Sequence, residues 1–150
     1  MYEVIRGIHN ILRWLVVLAA LYALVKAYAG IIGRSVWTKS DQSAGLIFTS
    51  ILNLQFLVGL ILYGVSPLTR TAMRDMGAAM GSDELRFFAV EHVILMLLAV
   101  IIAQVGYTVS KRAPSDRAKF VRAAVSYTLS VVLIAIAIPW WRPLLPTYWG

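Results

Sequence analysis

The chain has two imidazoles, and each stands at the polar threshold of an oily run: His9 in "HNILRW" (9–14) and His92 in "AVEHVILMLL" (89–98). An imidazole nitrogen can be a metal ligand as well as an acid or a base, so two rings are enough to grip one ion from opposite sides. Arg13 lies one helical turn beyond His9 on the same face, with Asn10 beside it. Glu91 directly precedes His92 and so points about 100° away around the same helix. Ionised side chains inside hydrocarbon are costly unless paired or close to the interface, and they mark function by default. Two arrangements account for these charges. In one, Arg13 and Glu91 neutralise each other between helices, and His9 and Asn10 are ordinary interfacial polar groups. In the other, Arg13, with Arg6 or Arg86, meets the carboxylates of a bound group through its fork of donors, and Glu91 orients an imidazole or handles a proton.

Something must bring the two thresholds together, and composition says what. Of 150 residues, 60% are hydrophobic and 14% charged, with a mean hydropathy of +0.76, which is far too apolar for an ordinary soluble domain. Cysteine is absent, which excludes disulfides, zinc-thiolate sites, iron–sulfur clusters and covalent c-type haem attachment. A net charge of +7 could suggest nucleic acid as a partner, but the basic residues gather in short loops rather than along one face. No nucleic-acid partner is therefore expected. No phosphate-binding loop and no nucleophile with a base are visible.

Apolar segments occur at 11–32, 44–65, 87–109 and 123–141, each close to the roughly 20 residues that cross a bilayer core. Backbone groups in lipid must pair within their own segment, so these are helices. Ser40 or Asp41, Ser82 or Asp83, and Ser115 or Asp116 are the expected N-caps of helices two, three and four. Pro139 ends the fourth, with "WWRP" and "TYW" as an aromatic interfacial anchor. A signal peptide competes for segment one, because "AYA" at 27–29 looks like a cleavage site. The reading taken is an uncleaved span. Lys26, Arg34 and Lys39 mark the first connection, and Lys111, Arg112, Arg117, Lys119 and Arg122 the third. The second offsets Arg70, Arg74 and Arg86 with Asp75, Asp83 and Glu84. Positive-inside placement then puts the first and third connections in the cytoplasm. The expected fold class is all-α: a transmembrane four-helix up-down-up-down bundle with N- and C-termini on the outer (periplasmic) side. It forms a single integral membrane domain over 1–150 with helices at 5–33, 41–65, 83–110 and 116–139.

In such a bundle helices one and three are parallel and diagonal, with axes about 13 Å apart. Imidazoles reaching inward across that gap can hold one iron, with a porphyrin plane standing along the bundle axis. Gly59 and Gly64 on helix two, and Ala135 and Ala137 on helix four, leave room for a flat macrocycle, although small residues are also routine at helix contacts in membranes. Thr49, Ser50, Asn53, Gln55, Gln104, Ser126, Thr128 and Ser130 read as hydrogen-bonded packing glue, not as a relay across the bilayer. Met73, Met76 and Met80 offer thioethers suited to Cu(I), or else bury against lipid or helix ends.

"HNILRW", "LQFLVGLILYGVSP", "LRFFAVEHVILMLLAVIIAQVGYTVSK" and "IPWWRP" together resemble a family of small bacterial four-helix membrane proteins labelled cytochrome b, over nearly the whole chain. The resemblance implies a haem b bundle in the bacterial cytoplasmic (inner) membrane, with His9 and His92 at positions where the family has histidines. Many of its members carry another histidine on helix two where this chain has Asn53; if that histidine is a ligand in them, either the ligand pair here is His9 with His92 or haem is lost. The expected function is membrane electron transfer by one bis-histidine haem b near the outer face. Arg13, Gly59, Gly64 and Arg86 are its expected surroundings, and Asn10 and Glu91 its outer shell. Two imidazoles saturate the iron and leave no position for oxygen chemistry, so an electron carrier is expected rather than a stand-alone enzyme. The lipid bilayer, a quinol or another redox protein, and membership of a membrane complex or a homo-oligomer are the partners implied. The rival is a non-catalytic accessory subunit of a respiratory or photosynthetic complex, which needs only apolar surface, interfacial aromatics and an Arg13–Glu91 pair. A small copper or solute carrier comes third.

Overall fold

The computed structural model describes residues 1–145, so the "TYW" anchor at 147–149 lies outside the described residues. Every regular element among these residues is helical. Helix α1 runs Tyr2–Gly33 and closes on Arg34 in the left-handed conformation, with Ser35 N–H reaching Gly30 O at 3.1 Å. Helix α2 spans Lys39–Val65. Its N-cap is Thr38, not Ser40 or Asp41, because the Asp41 carboxylate reaches back to the Thr38 N–H and hydroxyl at 2.9 and 2.8 Å. The same carboxylate meets Lys26 of α1 at 3.1 Å.

The connection that follows is more ordered than its turn residues suggest. Pro67 starts α3, Pro67–Arg74, where a missing N–H costs nothing. The Asp75 side chain accepts from Ala78 N–H and so starts α4, Met76–Met80. Ser82 caps α5, Asp83–Arg86, and Ser115 caps α7, Asp116–Ala137, so the serine is the cap in each of those two candidate pairs. Between α5 and helix α6, His92–Lys111, the chain makes a π-helical turn at Phe87–Glu91. Its wider ladder, His92 N–H to Phe87 O, superposes residues five apart, and Arg86 Nε meets Glu91 Oε1 at 2.6 Å. An α-helical turn aligns residues three or four apart and would separate that pair. Helix α7 stops at Ala137, two residues before Pro139, because the proline holds Ile138 extended (φ −72°, ψ 126°).

Four helices are long and apolar enough to cross a membrane: Tyr2–Gly33, Lys39–Val65, the continuous Asp83–Lys111, and Asp116–Ala137. They form a helical bundle in which α1 packs on α2 and α7, and α6 packs on α7 and α2. The centre is rich in alanine (Ala19, Ala20, Ala23, Ala27, Ala99, Ala103, Ala123, Ala124), filled by Phe48, Leu52 and Val16. Small residues let helix backbones approach where lipid gives no hydrophobic drive to associate. The outer face carries the large side chains, among them Leu18, Val25, Leu57, Ile101 and Ile136. Apolar surface outside and small residues inside are consistent with a multi-pass membrane protein.

Helices α6 and α7 make the tightest approach. A β-carbon at Gly106 would lie 2.2 Å from Ser126 Cβ, an atom fixed by the backbone and beyond the reach of any rotamer change. Gly106→Ala should therefore force the two helices apart and destabilise the bundle by about 1–3 kcal/mol. The check is the unfolding midpoint of the detergent-solubilised variant, expected well below that of the unsubstituted chain.

Candidate functional site

At the end of the bundle where α1 and α6 begin and α2 and α7 finish, the helices enclose a cavity of about 450 Å³. Both histidines line it, with Asn10, Arg13, Gln55, Gly59, Tyr63, Phe88 and Ala137. The two imidazole centres are 6.3 Å apart, with ring planes inclined at 71°. The two thresholds meet at one cavity.

Each ring is held by a different device. Nδ1 of His92 donates to Ala137 O at 2.8 Å, a bond available because α7 has just ended and its last carbonyls lack partners in their own helix. That bond fixes the ring and leaves Nε2 as its free nitrogen. His9 is served by Gln55 on α2, whose amide nitrogen donates to His9 O at 3.0 Å and lies 3.3 Å from His9 Nε2. Gln55 is only 4% exposed. Among the described residues three buried side-chain polar atoms still have no hydrogen-bond partner: His9 Nδ1, Gln55 Oε1 and Arg13 Nε. All belong to residues lining this cavity. An unmet buried donor or acceptor costs about 1–3 kcal/mol, and a cluster of them beside an opening is what a polar ligand can satisfy.

The arginines and acids depart from the expected Arg13–Glu91 pair. Arg13 is buried, yet it does not pair with Glu91. Its Nη1 approaches Asn10 Oδ1 at 3.5 Å, and its Nη2 bonds to Leu144 O, which Trp14 Nε1 also reaches at 3.2 Å. Glu91 belongs to Arg86, because the π-helical turn stacks those two. Arg86 also holds Asp83 and Met80 O, and it is absent from the cavity lining. Arg6 and Arg142 line the cavity instead. Gly64 is exposed and away from the cavity. Gly59 is in the wall, where a β-carbon would sit 3.1 Å from His9 Cε1, so its smallness accommodates the imidazole itself. Asn53 bonds to Gln104 at 3.1 Å, outside the site. Met73, Met76 and Met80 are each exposed.

A strap of residues 139–145 crosses the cavity mouth. Leu144 is held from α1 by Arg13 and Trp14; on the opposite side Arg142 pairs with Glu84 and lies 4.6 Å over the Phe88 ring. Trp141 packs on Phe87 at 4.7 Å. The sequence offered no periodicity for this segment, and an aromatic anchor was the only signal. In the sequence Gln55 reads only as a polar packing residue. Its position one turn before Gly59, on the same face, could have placed it beside the histidine.

No family model matches the chain, and no curated protein or solved structure matches it. Function has to be read from the site's own geometry.

Arg13→Ala should free the strap. Hydrogen exchange is expected to accelerate about tenfold or more at the amides of residues 140–145, while amides in the middle of α6 and α7 stay protected, since a hydrogen bond from a charged donor contributes about 1.5–3 kcal/mol.

Proposed function

We propose that the chain is an integral-membrane electron-transfer protein that holds one b-type haem between His9 and His92. The site lies near the outer face of a bacterial inner membrane, in an up-down-up-down bundle with both described helix ends of the site on that face. The single observation that carries the reading is the separation of the imidazoles. Two rings sharing one metal at about 2 Å per bond have centres about 6 Å apart, and here the centres are 6.3 Å apart.

Other features support it. His92 already donates Nδ1–H to a carbonyl, the usual arrangement behind a metal-bound imidazole. His9 would exchange the Gln55 N–H for the metal, and the unpartnered Gln55 Oε1 and Arg13 Nε lie in the same wall. Arg6, Arg13 and Arg142 present the planar forks that suit propionate carboxylates. Contacts of His9 with Gln55 and Lys26 with Asp41, and of His92 with Ala137 and Ser110 with Lys119, support antiparallel neighbours. When bound, the haem supplies reversible one-electron chemistry. The chain's own residues orient the rings, meet the carboxylates and, through the strap, limit access of water. A quinol in the lipid or a redox protein at the outer surface is the partner such a site requires.

A second reading is favoured by one contact. Gln55 Nε2 already occupies the side of His9 that a metal would take, as a purely structural histidine in an accessory subunit would allow.

Visible spectroscopy separates the two. Purified protein from haem-replete cells should show a sharp reduced α-band, lost in His9→Ala and in His92→Ala while helical circular dichroism is kept. A folded preparation that stays colourless, and does not change the spectrum of added haem, rules out the cytochrome reading and favours the accessory subunit.

A further inference from the structure

We propose that the outer face shared by α2 and α6 is an interface between two copies of this chain, closed by reciprocal amide hydrogen bonds from Asn53 and Gln104. Asn53 Nδ2 donates to Gln104 Oε1 at 3.1 Å. That bond uses one donor and one acceptor. It leaves Asn53 Oδ1, the other Asn53 N–H and both Gln104 N–H groups without partners among the described residues. Both residues lie within membrane-length apolar helices, and Gln104 is exposed on the outside of the bundle. Ser50, one turn before Asn53, is exposed on the same face with no partner among the described residues for its hydroxyl.

This strip differs from most other polar groups in the spans. Thr49 and Thr108 bond to carbonyls of their own helices, Ser130 is buried against Ala99 O, and Tyr28 and Thr128 satisfy each other at 2.7 Å. Hydrocarbon offers nothing to the Asn53–Gln104 pair, and an amide left unpaired in an apolar medium is expensive. A protein surface is needed. Amides carry donor and acceptor together, so the strip is complementary to a copy of itself: across a two-fold axis, Gln104 Nε2 of each copy can donate to Asn53 Oδ1 of the other. No charged residue lies between Asp41 and Val65 on α2, or between Glu91 and Lys111 on α6, to demand an oppositely charged partner. Leu57 and Ile101, exposed beside the amides, supply the apolar contact. This inference is independent of haem, because the cavity lies on the inner side of the bundle and shares neither residue.

The absence of cysteine makes the test direct. Single cysteines replacing Leu57 or Ile101, and Leu18 on α1 as a control, are treated in native membranes with a short bis-maleimide. A product of twice the chain mass is expected for Leu57→Cys and Ile101→Cys, and at least several-fold less for Leu18→Cys. Adding Asn53→Leu with Gln104→Leu should lower that product about tenfold. The unfolding midpoint should stay unchanged, because apolar side chains then replace exposed amides. Single-molecule bleaching of the cysteine-labelled but otherwise unsubstituted chain in dilute vesicles should give two steps. Equal cross-linking at Leu18, a yield untouched by the double substitution, one-step bleaching, or a cross-linked product of another mass without the homodimer would each overturn the proposal.

Discussion

A histidine ring buried among apolar helices cannot leave its nitrogens to water, so each must be served by the protein or by something the protein holds. The end of this bundle is organised around that constraint. Pro139 stops α7, stopping α7 frees the carbonyl of Ala137, and that carbonyl fixes the ring of His92 from a neighbouring helix. On the other diagonal, Gly59 makes space for His9, and Gln55 one turn earlier supplies N–H to the ring and to the His9 backbone. Neither imidazole is placed by its own helix alone. Proline, glycine and glutamine on the two intervening helices bring the rings within 6.3 Å.

The π-helical turn at Phe87–Glu91 belongs to the same design. It joins α5 to α6 without breaking the span, and it brings residues five apart into register. Glu91 is thereby satisfied by Arg86 on its own segment. Because Glu91 is neutralised there, the buried Arg13 is left for other duties and takes the Leu144 carbonyl of the strap. Had the segment been plain α-helix, Arg86 and Glu91 would lie on different faces, and an inter-helix Arg13–Glu91 pair would be the natural alternative. Turns of this kind recur at functional sites because they re-aim one side chain without ending a helix. Here the residue that follows the turn is His92.

Much of the fold was legible in the chain because hydropathy in a membrane-sized window is a strong signal: the four long apolar helices follow from it. Serines 82 and 115 were readable as caps because a short hydroxyl before a polar first turn has one obvious use. Thr38 was not, since Ser40 and Asp41 lie closer to the apolar run and are equally good cap types. The meeting of His9 and His92 could be expected once a bundle of sequential neighbours was assumed, because both rings stand near the starts of helices one and three. What escaped was everything that depends on side-chain direction. Arg86 sits near His92 in sequence yet is absent from the cavity lining, as is Gly64 on α2, and Arg142 enters from a segment with no periodic pattern. The π-helical turn left no trace, because one extra residue in a hydrogen-bond ladder does not change hydropathy.

The two histidines are unequally finished, and that inequality bears on whether the site is structural. His92 has its orienting bond and a free nitrogen. His9 has a contact to an amide nitrogen and an unpartnered Nδ1, while Gln55 Oε1 and Arg13 Nε are also unmet in the same wall. A scaffold with no ligand to hold gains nothing from three such atoms around a cavity, since leucine or methionine at those positions would fill the space and remove about 1–3 kcal/mol of penalty for each. Local violations of packing and polar satisfaction concentrate where a chain does chemistry or binds something. The unsatisfied atoms, the gap between the rings and the arginines share one end of the bundle. The opposite end, with Ser110, Phe120 and Lys26–Asp41 packed and paired, has a cavity of about 440 Å³ between Gly30, Arg34 and Arg117, but no unpartnered buried side-chain atom there among the described residues. That polarity makes a bound polar group, and not padding alone, the better account of why His9 and His92 face each other.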